Sequence, residues 1–387
     1  MNITKEQSRT SYIDVARGIA LILVVWGHLL SGATFTFQWI FSFHMPIFFF
    51  LSGMCFHPEK FDTLQTFLKK KIKSRILPYF FIAFLAFLIC MCIPSYREVI
   101  LADGLGLQML SLLYYAQPRN LYVGQIWFLI GLFFAELFAF FWFRFMEKKK
   151  AIFIFLGLGI WILLASQVLW RINMLFSTPY FSRLPWKIDA GFIAGIFLVI
   201  GYYVQKYQIL DKLYRFKFIL FPVFLFLNVL FGPILNGYVN ICDCVLGIRT
   251  FYFISAFSGI LAVMLFSMFV QNLNILAFFG RYSLPMFAAH TFLIYFVNDI
   301  RFAVTNTFYT VAADLPYFQT IWMTIAVCIG MVIIAFLYQK LWSVFTFLHS
   351  QFILQPFVET AASNISYSTV GNEETNLNQH SQEEFNS

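Results

Sequence analysis

Apolar runs follow one another along this chain from residue 15 to about residue 348, separated by short polar stretches. Ten can be distinguished: 15–32, 37–56, 76–94, 121–143, 151–170, 187–205, 216–235, 249–270, 276–298 and 320–346. Most are close to the ~20 residues that an α-helix needs to cross a ~30 Å hydrocarbon core. The pattern predicts an all-α polytopic membrane protein of about ten transmembrane helices. Residues 1–10 would precede a membrane domain at 11–348. The stretch 361–387 is polar, acidic and poor in aromatics, and is expected to be a disordered tail.

Composition agrees: 60% of the 387 residues are hydrophobic and 11% charged, against about 25% charged in soluble domains. The net charge of +8 would suit nucleic acid, but its distribution points elsewhere. Seven of the 26 Lys and Arg (Arg97, Arg119, Arg171, Arg183, Lys187, Arg249 and Arg301) fall on one side of a ten-span arrangement, leaving 19 on the other. Basic residues collect on the cytoplasmic side, so the loops "KFDTLQTFLKKKIKSR", "RFMEKKK" and "QKYQILDKLYRFK" and both termini are expected there. No nucleic-acid partner is implied; the lipid bilayer is. Charges interrupt the first segment and no A-x-A-like site follows, so it is expected to remain as a helix rather than be cleaved.

The stretch "SYIDVARGIALILVVWGHLL", 11–30, carries Asp14, Arg17 and His28. Ionisable groups inside a membrane are costly unless paired or hydrated, which makes them functional candidates. The others are His44, Glu136, Asp189 and His290. Arg17 and His28 lie eleven residues apart, about three turns plus 20°, and so share one helix face with a rise of roughly 16 Å. Asp14 falls within about 60° of both. A plainer reading stays open: Arg17 reaches lipid phosphates, Asp14 caps the helix and His28 bonds a neighbouring helix.

His44, in "FSFHMPIFFFLSG", lies about seven residues into the second segment; His290, in "GRYSLPMFAAHTFLIY", about fourteen into the ninth. His28 stands about four residues from the end of the first. Counted so, the three imidazoles share one depth and could ring a polar cavity. No HxxxH or carboxylate–histidine spacing accompanies them, so no metal is expected, and general-base chemistry is the more economical reading. Pro46, Gly53 and Pro285 interrupt the second and ninth segments, as helix breakers do beside cavities. Glu136 is expected to pair with Arg17 or a loop cation, in a structural role. Asp189 and Arg249 read as rim residues. Lys69, Lys70, Lys71, Lys73 and Arg75 could anchor to anionic lipid or bind phosphates. Cys242-x-Cys244 reads as packing.

These residues resemble the acyltransferase family 3 membrane proteins. Asp14, Arg17 and His28 match the family's opening signature, and His44, Pro46, Ser52 and Gly53 its second-helix motif. "IWFLIGLFFAELF" and "GRYSLPMFAAH" also look like family segments, and "FHMPIFFF" with "WFL" looks most like the fucose-acetylase-like subgroup. The resemblance covers residue 11 to about 346. One departure concerns the family's Arg-x-x-Arg before Pro-Tyr: here Lys71, Ile72, Lys73, Ser74, Arg75 displace the second Arg by one position.

The resemblance implies transfer of an acyl group, usually acetyl, from cytoplasmic acetyl-CoA or another acyl-CoA to a hydroxyl of a cell-envelope carbohydrate, in the inner (cytoplasmic) membrane. It implies catalytic roles for His28, Asp14 and His44, with His28 as general base. Arg17, Lys71, Lys73 and Arg75 would hold the donor, and His290, Ser52, Trp127 and Glu136 would line the substrate cavity. On physics alone a transporter or flippase for a glycan or small anion would also need such groups. The charge pattern sets a test of topology. Cysteines placed at Lys60 and at Asp314 should react with a membrane-impermeant reagent from opposite sides; labelling of both from outside would exclude the ten-span arrangement.

Overall fold

A computed structural model describes residues 2–146, 148–168, 183–305 and 316–349. The expected tail at 361–387, Arg171 and Asp314 lie outside the described residues. Among those described there is no β-strand, only an isolated bridge between Asn240 and Val245. The helices are α1 Asn2–Leu29, α2 Phe35–Phe41, α3 His44–Met54, α4 Leu64–Lys71, α5 Leu77–Cys92, α6 Pro94–Asp103, α7 Leu105–Leu113, α8 Trp127–Met146 and α9 Ala151–Leu163. They continue as α10 Ile188–Lys206, α11 Ile209–Tyr214, α12 Lys217–Val229, α13 Arg249–Phe269, α14 Asn274–Arg281, α15 Ser283–Thr305 and α16 Tyr317–His349. Contacts divide the chain into Met1–Val332, which holds every site considered below, and Ile333–Ser387, whose described part is the end of α16.

Among the described residues eight helical runs are long and apolar enough to cross a membrane. Of the remaining two expected segments, 151–170 begins as the shorter apolar helix Ala151–Gln167 and 276–298 is divided between α14 and α15. The chain is an all-α polytopic membrane protein. Its peripheral helices expose large side chains such as Phe81, Phe155 and Phe218, as a surface solvated by lipid tails requires.

Two expected spans are broken, and proline explains where. A proline ring clashes with the carbonyl four residues before it. For Pro46 that residue is Ser42, and α2 ends at Phe41 with α3 starting at His44. For Pro285 it is Arg281, the last residue of α14, and α15 starts at Ser283. Pro78 acts more gently: the residue four before it, Ser74, sits in a π-helical turn, Ile72–Ile76, that joins α4 to α5 without ending the helix. A π turn takes up one extra residue.

The core is drawn together by glycine. A Cβ on Gly18 of α1 would strike the Leu276 carbonyl oxygen of α14, and one on Gly280 of α14 would strike that of Asp14. Between α3 and α10 the same exchange joins Gly53 to the Leu198 oxygen and Gly201 to that of Phe50. Small residues let helix backbones meet where no hydrophobic force drives them together. Helix α10 also packs along α8, and α1 against α13 and α15. Gly201→Leu should therefore lower the thermal midpoint of the purified protein, since overpacking costs ~1–3 kcal/mol. An unchanged midpoint would contradict so close a crossing.

Candidate functional site

Two cavities open along α1 and α3. The first is basic, about 260 Å³, and is lined by Arg17, Ser52, Cys55, Lys60, Lys70, Lys71, Arg75 and Glu136 among others. Its buried centre is Glu136, which accepts from Lys71 Nζ at 2.8 Å, Arg75 Nη2 at 3.0 Å and Arg75 Nε at 3.2 Å. The partner is thus a pair of cations from the α4–α5 run and not Arg17. The π turn starts directly after Lys71 and contains Arg75, so the displacement from Arg-x-x-Arg still leaves Lys71 and Arg75 on one carboxylate. Lys71 is further enclosed by the Phe56 and Phe61 rings, at 5.2 and 5.4 Å. Lys73 is exposed and outside the lining, while Lys60 and Lys70 line it.

Arg17 Nη1 donates to Asp14 Oδ1 at 3.3 Å, and Nη2 stands 3.3 Å from Cys55 Sγ. Asp14 itself is not among the lining residues; it orients Arg17 from behind. With five Lys and Arg side chains against one carboxylate, this cavity suits a ligand carrying several negative charges.

The second cavity, about 220 Å³, is a histidine chamber lined by His28, Phe41, His44, Met45, Gln125, Trp127, Phe287 and Thr291 among others. His290 is fully buried just behind, its ring centroid 5.2 Å from that of His28. The three imidazoles come together. Their hydrogen bonds differ. His44 Nδ1–H donates to the Ile40 carbonyl at 3.1 Å, and His290 Nδ1–H to that of Phe287 at 2.7 Å. A carbonyl only accepts, which leaves Nε2 of each as the lone-pair nitrogen in the neutral ring; that of His290 faces the Thr291 hydroxyl at 3.3 Å. His28 is half-buried, and among the described residues no hydrogen bond holds its ring. Of the three it is the one whose ring orientation no hydrogen bond to a described residue fixes.

The two cavities share no lining residue. On α3, Phe48 lies one helical step from His44 and another from Ser52, on the same face. Its ring meets Phe128 at 5.9 Å and Phe287 at 6.1 Å, and those two stand 5.5 Å apart. This aromatic floor separates the chamber from the basic cavity.

Ser52 and Glu136 thus belong to the basic cavity, while Trp127 belongs to the chamber. A family model described as an acyltransferase domain, acyltransferase 3, matches residues 10–340. The chain belongs to the acyltransferase 3 family. A search among curated proteins finds no match. The family match takes in every residue of both cavities of this membrane acyltransferase.

Sequence reasoning missed a third feature of the acyltransferase, a loop cleft of about 360 Å³ beside the chamber. Asp189, expected at the rim, is fully buried there against Arg183 Nη2 at 2.9 Å. Arg183 also holds Asp243 and the Cys242 carbonyl, at 2.7 and 2.8 Å. Gln125 ties the start of α8 to α15 through the Phe287 and Ala288 carbonyls, at 3.2 and 2.9 Å. The signals available were a charge cluster at 183–189 and a glutamine, Gln125, directly before "IWFL", neither specific alone.

The Glu136 arrangement makes a prediction. Removing one partner from a buried ion pair costs ~3–5 kcal/mol because the other charge is left uncompensated. Glu136→Ala should therefore cut folded yield and lower the thermal midpoint well beyond what Lys73→Ala does. Equal stability of the two variants would show that Lys71 and Arg75 find other partners.

Proposed function

We propose that the protein transfers an acyl group, acetyl by preference, from cytoplasmic acyl-CoA to a hydroxyl of a cell-envelope carbohydrate across the inner membrane. The observation that carries this reading is the pair of cavities strung along one face of α1, with Arg17 in the basic one and an unrestrained His28 in the other. An acyl-CoA is polyanionic at its nucleotide end and carries its thioester at the far end of a thin arm. Arg17, Lys60, Lys70, Lys71 and Arg75 suit the phosphates, guanidinium groups by bidentate bonds and ammonium groups as point charges. The roughly 16 Å rise from Arg17 to His28 is a span the arm would cover, with the rings of the aromatic floor moved aside.

The reaction then balances as follows. A neutral His28 takes the proton of the acceptor hydroxyl as its oxygen attacks the thioester carbonyl carbon. The carbon–sulfur bond breaks, an ester forms, and the imidazolium returns the proton to the departing thiolate of CoA. Such a base contributes typically ~10²–10⁴-fold. Asp14 positions Arg17. His44 and His290, each tied to a carbonyl, shape the chamber around His28 and supply the lone pair of Nε2 to it.

Two variants test the division of labour, each first shown to insert and fold. In proteoliposomes supplied with acetyl-CoA and a sugar acceptor, Arg17→Ala should chiefly raise the KM for acetyl-CoA, with turnover recovered at high donor. His28→Ala should lower kcat by about 10²-fold or more at any donor concentration while CoA binding survives. Near-normal turnover in His28→Ala would move the base to another residue. An unesterified acceptor in the parent protein would exclude acyl transfer altogether and favour a transport role.

A further inference from the structure

The loop cleft and the histidine chamber adjoin. Gln117 and Gly124 line both, so a molecule in the cleft would lie directly beside the chamber that holds the imidazoles. Three loops build this junction, and their backbones are unusual. Among the described residues seven non-glycine positions have positive φ, and six of them lie here: Ala116, Asn120, Tyr122, Trp186, Lys187 and Cys244, between 50° and 57°. L-residues rarely adopt that region, and such strain gathers where surrounding structure holds a site in shape.

What the strained loops hold in place is the side-chain amide of Gln117. Its Oε1 accepts from Lys187 Nζ at 2.8 Å and from Cys242 Sγ at 3.4 Å. Lys187 is buried, 3% exposed, and its own backbone is left-handed. An ammonium group has donors only, so the amide is oriented without ambiguity: oxygen toward Lys187, nitrogen away. Gln117 is half-buried and lines both cavities, and among the described residues its Nε2 has no hydrogen-bond partner. Lys187 Nζ is itself anchored by the Cys242 carbonyl at 3.3 Å and by Asp243 Oδ1 at 3.7 Å, so it pins the amide oxygen from a fixed position. An amide held by its oxygen, with its two donors beside a chamber of histidines, has the geometry of a recognition group.

We infer that the loop cleft is the acceptor subsite of the acyltransferase, and that Gln117 Nε2 donates to an oxygen of the sugar residue whose neighbouring hydroxyl is presented to His28. This rests on the transfer reading above and adds where the glycan lies and which group orients it. The ligand class is a polyhydroxylated glycan, since an amide N–H reads hydroxyl, ring or acetamido oxygens and discriminates against an alcohol that lacks them.

The test uses two substitutions of one side chain. Gln117→Glu keeps the acceptor oxygen for Lys187 and removes both donors. Gln117→Met removes all of these. With de-esterified oligosaccharide from the cell's own surface glycan as acceptor, both variants should raise the acceptor KM at least about tenfold, leave the KM for acetyl-CoA unchanged, and weaken binding of that oligosaccharide to the detergent-purified protein. If Gln117 served only to hold Lys187, Gln117→Glu would match the parent and Gln117→Met alone would fail, which overturns the assignment. A parent protein that acylates the glycan with both variants equal to it sinks the subsite and leaves the transfer reading intact. A parent that neither binds nor acylates the glycan sinks both.

Discussion

Contact between bare backbones at two helix crossings sets the spacing of everything else. At α1–α14 and at α3–α10 a glycine from each helix lies against a carbonyl of the other. In lipid no hydrophobic force pulls helices together, and close packing has to do it. The first crossing lies beside Asp14 and so fixes the height of Arg17. The second, at Gly53, fixes the end of α3 that carries Ser52 and Cys55. With both ends of the basic cavity held by backbone, its charged side chains have little freedom to rearrange. Larger residues at these crossings would push the helices apart and widen the cavity before they disturbed any side chain in it.

Electrostatics is organised around this frame by giving each buried carboxylate a cationic partner. Glu136 neutralises two cations from the α4–α5 run, and Asp189 and Asp243 share Arg183. The surplus is left positive, around the basic cavity. The histidines stand apart from all of this. His28 and His44 line a chamber, with His290 behind, whose other walls are aromatic, sulfur-bearing and uncharged polar side chains.

Much of this was legible in the sequence because it is local or periodic. The all-α, many-span class and the position of most long helices follow from apolar runs, and the shared face of Arg17 and His28 from eleven-residue spacing. The meeting of the three imidazoles followed from depth counting, and Pro46 and Pro285 marked the right spans for breaks. What was not legible is pairing between distant residues. Glu136 had two classes of possible partner, and only the fold chose Lys71 and Arg75. Lys73 looked equivalent to Lys71, but the π turn exposes one and buries the other. The Gln117–Lys187–Cys242 junction joins three loops far apart in the chain, and left-handed backbone at Ala116, Tyr122 or Lys187 leaves no mark when the residue is not glycine.

The aromatic floor of Phe48, Phe128 and Phe287 has a consequence for the cell as well as for the molecule. Two polar-lined cavities in one membrane protein, aligned along a common helix, come close to forming a pore. A pore would conduct protons and salt, and a membrane that stores energy as an ion gradient would be discharged by it. Three packed rings with no polar atoms present a low-dielectric layer that a dissolved ion crosses only at great electrostatic expense. The protein can therefore keep polar chemistry on both sides of the floor and remain an electrical insulator.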